Sequence, residues 1–210
     1  MEEKVNIITS YLNELFPNPR CELNYNKDYE LLIAVVLSAQ TTDKRVNKVT
    51  EILFKKYPTL KDLKAANVKD IEKIIKEIGT FRKKSVFIKE IATYIDENCG
   101  GKVPNNRQLL ESLNGVGRKT ANVVLSNLFD EPCIAVDTHV SRVSKRLGLA
   151  YKNDSVEKIE KKLMKKLDKS IWSKTHHQLV LFGRYFCKAI KPECGNCKLY
   201  NICKEKSKTK

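Results

Sequence analysis

Apolar residues recur at helical spacing through most of this 210-residue chain, and this pattern restricts the fold more than any other feature. The clearest examples are the sets Val5-Ile8-Leu12-Leu15, Ile71-Ile74-Ile75-Ile78 and Phe87-Ile88-Ile91-Ile95. All six prolines fall between such segments, as expected of a residue that interrupts helices. Since no convincing strand alternation is present, we expect an all-α protein.

Four cysteines near the C-terminus form a C-x6-C-x2-C-x5-C array. Thiolates in so short a segment can hold a metal or an iron–sulfur cluster, and can order a stretch too short to fold alone. By themselves the four thiols suit zinc at least as well as a cluster. They are Cys187, Cys194, Cys197 and Cys203.

The N-terminus lacks the apolar core of a signal peptide, and no apolar run is long enough to span a bilayer. We therefore expect a cytoplasmic protein without a membrane partner. In that reducing compartment clustered cysteines indicate metal ligands rather than disulfides. The isolated Cys21, Cys99 and Cys133 are expected to be buried free thiols.

Basic residues outnumber acidic ones by 40 to 25, which gives a net charge of +15. Such an excess favours a polyanionic partner, nucleic acid first and an anionic membrane second. A basic surface with no partner is the alternative. The Lys-rich tail from Lys204 to Lys210 has a composition that is usually not ordered.

The segment from Leu113 to Ala121 contains a G-x-G sequence between two predicted helices, 107–112 and 118–127. Glycine permits positive φ and close approach of a ligand to the backbone, and the following helix start attracts anions. With Arg118 and Lys119 at that helix start, the pattern predicts a helix-hairpin-helix that binds phosphate. A tight helix–helix turn with solvated basic residues is the alternative.

Two further segments carry polar residues after apolar runs. Asp137 follows a buried-type run and precedes a predicted helix, so it is either an ordinary N-cap or the carboxylate partner of Lys119. Gln40 and Thr41 end another apolar run, where a simple turn is the plainer interpretation. The sequence around Gly79 also resembles that around Gly115, either by chance or because two hairpins grip one backbone.

In order and spacing, L-x-G-V-G-R-K-T-A, A-V-D-T-H-V and the cysteine array resemble the endonuclease III family of DNA glycosylases. The resemblance covers Tyr11 to Lys204. It implies a helix-hairpin-helix glycosylase fold with two helical domains flanking a DNA-binding cleft. One is a six-helix barrel over 21–132, with the hairpin at about 106–127. The other joins 1–20 to 133–210 and carries a [4Fe-4S] cluster in the loop 187–203.

The same resemblance implies that Lys119 and Asp137 are the catalytic pair and that the four cysteines of the array hold the cluster. It implies that Gln40 fills the gap left by a flipped-out nucleotide. The implied DNA contacts are Gln40, Thr41, Phe81, Gly115, Val116, Gly117, Arg118, Thr120 and His139.

The activity implied is that of a base-excision-repair glycosylase with abasic-site lyase activity. It would remove oxidised pyrimidines such as thymine glycol through an imine at Lys119, then cut 3′ to the abasic site by β-elimination. The implied partner is double-stranded DNA with damaged bases or abasic sites, bound by a monomer. A mismatch-specific thymine or uracil glycosylase, or a non-catalytic DNA-binding module, are the alternatives.

The sequence departs from the family pattern in both hairpins. Thr80 and Phe81 stand where a bulky aliphatic residue usually follows the glycine of the first hairpin, so either Phe81 stacks in its place or the opposite strand is held less firmly. Asn114 replaces the usual proline before the G-x-G, and we expect a looser hairpin with unchanged amides.

Overall fold

The computed structural model describes residues 2–205, and within that range it contains helices and turns without strands. The prediction of an all-α protein is confirmed. The prediction for the Lys-rich tail falls mostly on residues 206–210, which lie outside the described range. The chain forms two compact units: an internal unit, Glu22–Phe129, and a terminal unit made of the segments before and after it.

The internal unit contains helices α2 to α8, which follow one another through short turns. Their bounds are α2 (Asp28–Ser38), α3 (Asp43–Lys56), α4 (Leu60–Ala65), α5 (Val68–Ile74), α6 (Phe81–Asn98), α7 (Arg107–Ser112) and α8 (Arg118–Phe129).

Helix α2 is the core of the internal unit. Every residue from Tyr29 to Leu37 is buried, and the helix packs against α3, α6 and α8. A helix that is apolar on all sides can lie only in the interior. The other helices of the unit bury one face each, so the apolar run predicted as a buried helix organises the packing around it.

At the start of α2, two carboxylate side chains accept hydrogen bonds from backbone amides. Glu30 is buried, and its Oε2 atom accepts hydrogen bonds from the backbone amides of Asn26 at 2.7 Å and Lys27 at 3.3 Å. Asp28 Oδ2 also accepts from the backbone amide of Val103 at 2.7 Å, which ties α2 to the segment before α7. Two carboxylates near a helix N-terminus are favoured by its dipole.

The terminal unit is built from α1 (Glu2–Leu15), α9 (Thr138–Arg146), α10 (Val156–Lys166) and α11 (Trp172–Leu181). A π-helical turn, Phe182–Phe186, continues α11, and a 3₁₀ turn, Cys194–Asn196, lies within the cysteine array. One apolar cluster joins all four helices, with Leu12, Val143, Leu163 and Phe182 among its buried members. The N-terminal helix therefore folds with the C-terminal third of the chain.

Replacing Leu32 by Ala tests the central position of α2. Leu32 is 0% exposed, so we expect a loss of about 2–5 kcal/mol in unfolding free energy from lost burial and the cavity left behind. Urea unfolding followed by circular dichroism measures it. Ile52→Ala on α3 is the control, since Ile52 is 51% exposed and its truncation should change stability by less than about 0.5 kcal/mol. Equal effects of the two changes would contradict the assigned core.

Candidate functional site

The predicted helices on either side of the G-x-G are both present. Helix α7 spans Arg107–Ser112 as predicted, and α8 begins at Arg118 and continues to Phe129, two residues beyond the predicted end. The turn between them, residues 113–117, is called the hairpin turn below.

Gly115 makes the hairpin turn possible. Its φ is +84°, and a Cβ added there would lie 2.6 Å from Cδ2 of Phe87, a side chain of α6. Both the backbone conformation and the close approach exclude a side chain. Gly117 differs, because no atom lies within 4 Å of an added Cβ and its φ is outside the left-handed range.

The hairpin turn is anchored by one apolar side chain and exposes its neighbours. Val116 is 4% exposed, and its amide donates to the carbonyl of Leu113 at 3.0 Å. Gly115, Gly117 and Arg118 are exposed, and so is Lys119, whereas Thr120 is half-buried. The first turn of α8 has no acidic side chain, and its amides lack intrahelical acceptors by geometry. An anion can therefore approach this helix start.

Asn114 is tied to the scaffold by its side chain. Its Nδ2 atom donates to Oε2 of Glu90 on α6 at 3.1 Å. With Phe87 packed beneath Gly115, this bond gives the hairpin turn a second attachment to the same helix. The bond therefore restrains the turn at the position where we expected it to be looser.

Gln40 and Thr41 lie in the loop after α2, residues 39–42. Gln40 is exposed and has a φ of 59°, a left-handed conformation that is uncommon for a residue with a side chain. Thr41 is half-buried, and its amide donates to the carbonyl of Ser38 at 3.0 Å. A Cβ added to Gly79 would lie 4.0 Å from the carbonyl oxygen of Gln40. The structure thus brings the Gln40 loop against the turn that precedes α6.

That second turn is also strained. Thr80 has a φ of 55° and is the N-cap of α6, although its hydroxyl donates to the carbonyl of Gly79 rather than capping the helix. Phe81 is the first residue of α6 and is half-buried, with the guanidinium of Arg82 5.2 Å from its ring centroid. Strained non-glycine residues in neighbouring turns are typical of functional sites.

In the terminal unit, Asp137 is the N-cap of α9. Its Oδ1 atom accepts from the amide of Val140 at 2.7 Å, so the interpretation as a helix cap is confirmed. The side chain is half-buried, and the hydrogen bond holds the carboxylate at the helix start. Lys119 belongs to the internal unit and Asp137 to the terminal unit.

His139 and Arg142 link α9 to the turn after α11. Arg142 Nη2 donates to the carbonyl of Gly183 at 2.6 Å and lies 3.2 Å from Nδ1 of His139. A Cβ on Gly183 would lie 2.9 Å from that of His139, so the glycine allows this close packing. Burial, together with the charge of nearby Arg146, lowers the pKa of Arg142.

The four cysteines of the array are free thiols, and Arg146 contacts two of them, Cys187 and Cys203. Its Nη1 atom lies 3.4 Å from Sγ of Cys187, and its carbonyl accepts from Sγ of Cys203 at 3.4 Å. Burial raises the pKa of Cys187 and of Cys197, and the pKa of Cys197 is raised further by its three partners in the array. The four thiols therefore lie within electrostatic reach of one another.

The array places four thiols in one short segment, and four thiolates can hold either one metal ion or an iron–sulfur cluster. Within residues 2–205, no three His, Cys, Asp or Glu side chains are grouped around the position of one metal ion.

Sequence reasoning missed four residues on which these arrangements depend: Phe87, Glu90, Arg146 and Gly183. It also missed Lys84, whose Nζ atom donates to the carbonyls of Leu37 and Ala39 before Gln40. None carries a local signal. Lys84 lies in the basic run Arg82-Lys83-Lys84 and is set apart only by its burial.

Of the other cysteines, Cys133 is buried as expected, whereas Cys21 and Cys99 are half-buried. No helix in the described part of the chain has the length and apolarity to cross a bilayer.

Known proteins match these features closely. A family model described as HhH-GPD superfamily base excision DNA repair protein matches residues 33–169. Endonuclease III of Bacillus subtilis (strain 168) is 49% identical over 197 residues, which cover 94% of this chain and 90% of that protein. The chain belongs to the endonuclease III family. Endonuclease III of Escherichia coli (strain K12) is 43% identical over 201 residues, which cover 96% and 95% of the two chains.

Solved structures agree with this membership. A trapped covalent intermediate of endonuclease III with DNA has a TM-score of 0.94 and 47% identity, covering 98% of this chain and 96% of that one. A thermostable thymine-DNA glycosylase has a TM-score of 0.81 and 26% identity, with 96% of each chain covered. The helix-hairpin-helix glycosylase fold is confirmed. As a member of the endonuclease III family, this chain is a DNA-binding base-excision-repair glycosylase with abasic-site lyase activity.

The two glycines of the hairpin turn predict different outcomes on substitution. Gly115→Ala forces a left-handed alanine against the Phe87 ring, so we expect a loss of about 2 kcal/mol or more in unfolding free energy. Gly117→Ala meets no atom, and its cost to the free protein should be under about 1 kcal/mol. Urea unfolding of both variants measures the difference, and a stable Gly115→Ala protein would contradict the turn described.

Proposed function

We propose that this family member removes oxidised pyrimidines, such as thymine glycol, from duplex DNA through an imine at Lys119. It then cuts the strand 3′ to the abasic site by β-elimination. The proposal is carried by one observation: Lys119 is exposed in the first turn of α8, directly after the glycine-supported hairpin turn. A primary amine stands where a DNA backbone can approach the helix start.

The proposed reaction begins with attack of the neutral Lys119 amine on sugar C1′. The bond from C1′ to the base breaks, and the base leaves with the electron pair and takes up a proton. The nitrogen gives up one proton, the bond from C1′ to O4′ breaks, and O4′ keeps the electron pair and takes up a proton. The nitrogen keeps its other proton, which leaves a protonated imine at C1′. The imine makes the C2′ hydrogens acidic, one is removed, and the bond from C3′ to the phosphate oxygen breaks.

Asp137 is the proposed partner of Lys119. Its carboxylate would stabilise the positive charge that develops at C1′ and move protons between the amine and the departing base. The cap hydrogen bond to Val140 occupies Oδ1, and so we assign the reaction to Oδ2.

The remaining proposed contacts bind and distort the DNA. Hairpin residues Gly115–Thr120 would hold backbone phosphates through amides and the Arg118 charge, which gives position without sequence choice. Gln40 would occupy the gap when the damaged nucleotide leaves the stack, which offsets part of the cost of flipping. Thr41 would contact the DNA beside it. Phe81 would stack on the opposite strand, and His139 would contact DNA from the terminal unit.

For the cysteine array we propose a [4Fe-4S] cluster held by Cys187, Cys194, Cys197 and Cys203. When bound, the cluster supplies four iron–thiolate bonds that order the loop 187–203. Arg146 would hold two of the ligands in place through its contacts with Cys187 and Cys203. We also propose that the protein acts as a monomer. Its domains would be those implied by the resemblance, the six-helix barrel over 21–132 and the cluster domain formed by 1–20 and 133–210.

Mismatch-specific removal of thymine is a second candidate, because a thymine-DNA glycosylase shares the fold at 26% identity. The substrate that is excised distinguishes the two activities. Excision from a duplex with thymine glycol opposite adenine supports the first proposal, whereas excision only of thymine opposite guanine supports the second.

Lys119→Gln tests the proposed nucleophile. Borohydride reduces an imine to a stable amine, so the parent protein should form a covalent adduct with a thymine glycol duplex, and the variant should form none. The variant should still bind the same duplex. Arg118→Gln is the matched control, since it removes a neighbouring charge and keeps the amine. An adduct formed by Lys119→Gln would exclude the mechanism.

Metal analysis tests the cluster. We expect about four iron atoms per chain, with equal sulfide and no zinc. Cys197→Ser should lower the iron content and make residues 187–203 more sensitive to protease, because the loop loses its cross-links. Cys99→Ser, which lies outside the array, should change neither measure. One zinc per chain would contradict the cluster and favour a single-ion site.

A further inference from the structure

The loop that presents Gln40 must be held in an unfavourable conformation. A non-glycine residue at a φ of 59° costs about 1–3 kcal/mol, and such a conformation persists only where the surroundings impose it. Gln40 itself is exposed, so its own packing cannot impose the conformation. The source of the restraint must lie in the contacts of the neighbouring backbone.

Lys84 supplies these contacts from inside the internal unit. This lysine of α6 is 5% exposed, and its Nζ atom donates to the carbonyl of Leu37 at 3.0 Å and to that of Ala39 at 2.7 Å. Both oxygens lie at the C-terminal end of α2, where carbonyls lack intrahelical donors. Burial lowers the pKa of Lys84.

The bond to Ala39 acts directly on the conformation of Gln40. The Ala39 carbonyl and the Gln40 amide belong to one planar peptide group, and φ of Gln40 is measured from that plane. Fixing the oxygen fixes the plane. On the other side, a Cβ added to Gly79 would lie 4.0 Å from the Gln40 carbonyl oxygen, so this oxygen lies beside the Gly79 turn. The restraint from Lys84 therefore acts on the peptide group before Gln40.

Lys84 is also bonded to the Gly79–Thr80 turn through its backbone. Its backbone amide donates to the carbonyl of Thr80 at 3.1 Å, so the residue that holds the Gln40 loop lies one helical turn after the Gly79–Thr80 turn. One side chain thus fixes the separation between the loop that carries Gln40 and the turn that precedes Phe81. An apolar side chain would fill the same space without the cost of burying an amine.

We propose that Lys84 is a positioning residue that holds Gln40 ready to enter the gap left by the flipped-out nucleotide. This inference rests on the gap-filling role given to Gln40 above. Lys84 touches no substrate in this account. It acts through the Ala39–Gln40 peptide group, and its effect should appear only when a nucleotide leaves the stack.

The decisive quantity is binding selectivity, the Kd for an undamaged duplex divided by the Kd for a duplex with a tetrahydrofuran abasic analogue. A merely structural loss lowers the active fraction and weakens both complexes equally, which leaves this ratio unchanged. We expect Lys84→Met, which keeps the side-chain volume without the donors, to lower the ratio about tenfold, equivalent to about 1.4 kcal/mol.

A double-mutant cycle with Gln40→Ala isolates the coupling. If Lys84 acts through Gln40, Lys84→Met should change the ratio by less than about twofold once Gln40 has been replaced. Lys89→Met is the matched control, because Lys89 lies on the same helix and donates to the carbonyl of Ala66 at 3.0 Å, at the end of α4. That variant should leave the ratio unchanged.

The outcomes distinguish failure of the gap-filling role of Gln40 from failure of the positioning role of Lys84. If Gln40→Ala leaves the ratio unchanged, the gap-filling role fails and this inference fails with it. If Gln40→Ala lowers the ratio but Lys84→Met lowers it equally in both backgrounds, only the inference about Lys84 is overturned. Lys84→Arg retains N–H donors and should restore the ratio to within about twofold of the parent. A folded Lys84→Arg protein with a ratio as low as that of Lys84→Met would also overturn the inference about Lys84. If Lys84→Met does not fold, the Lys84→Arg variant tests the inference by itself: a tenfold lower ratio in that variant overturns it.

Discussion

Every α-helix begins with amides and ends with carbonyls that have no partner within the helix, and most of this structure depends on how those groups are satisfied. Glu30 accepts the amides before α2, and Lys84 holds the carbonyls at its end. Asp137 caps α9. Helix α8 differs, since it follows a glycine turn, exposes Arg118 and has no acidic side chain in its first turn. Side chains of the chain thus bind both ends of α2 and the start of α9, while the start of α8 suits a partner from outside.

The features that local sequence determines were predictable. Glycine, the adjoining apolar periodicity and the basic helix start predicted both ends of α7 and the first residue of α8 correctly. Asp137 was predicted as a possible cap because an aspartate before an apolar-periodic segment is favoured there. In each case the decisive interaction lies within a few residues along the chain, so short-range patterns contain the information.

The contacts between distant segments could not be predicted. Phe87 lies 28 positions before Gly115, and Glu90 is separated from Asn114 by 24 positions. Nothing in the run Arg82-Lys83-Lys84 shows which lysine is buried, since all three residues are compatible with an exposed helix start. These side chains acquire their roles only when α6 packs beneath the hairpin turn and beside the end of α2. The family resemblance implies which residues contact DNA but gives no account of what holds them in place.

The cap on α9 affects how the proposed carboxylate moves. A free surface aspartate changes rotamer on the picosecond-to-nanosecond scale, whereas rotation of Asp137 would break its hydrogen bond to the Val140 amide, at a cost of about 1 kcal/mol. Reorientation of the carboxylate is thereby coupled to fraying of the helix start. Its unbound oxygen moves with the amplitude of α9 rather than with that of a side chain. The entropy of placing a reactive oxygen is thus lost when the chain folds, before any DNA arrives.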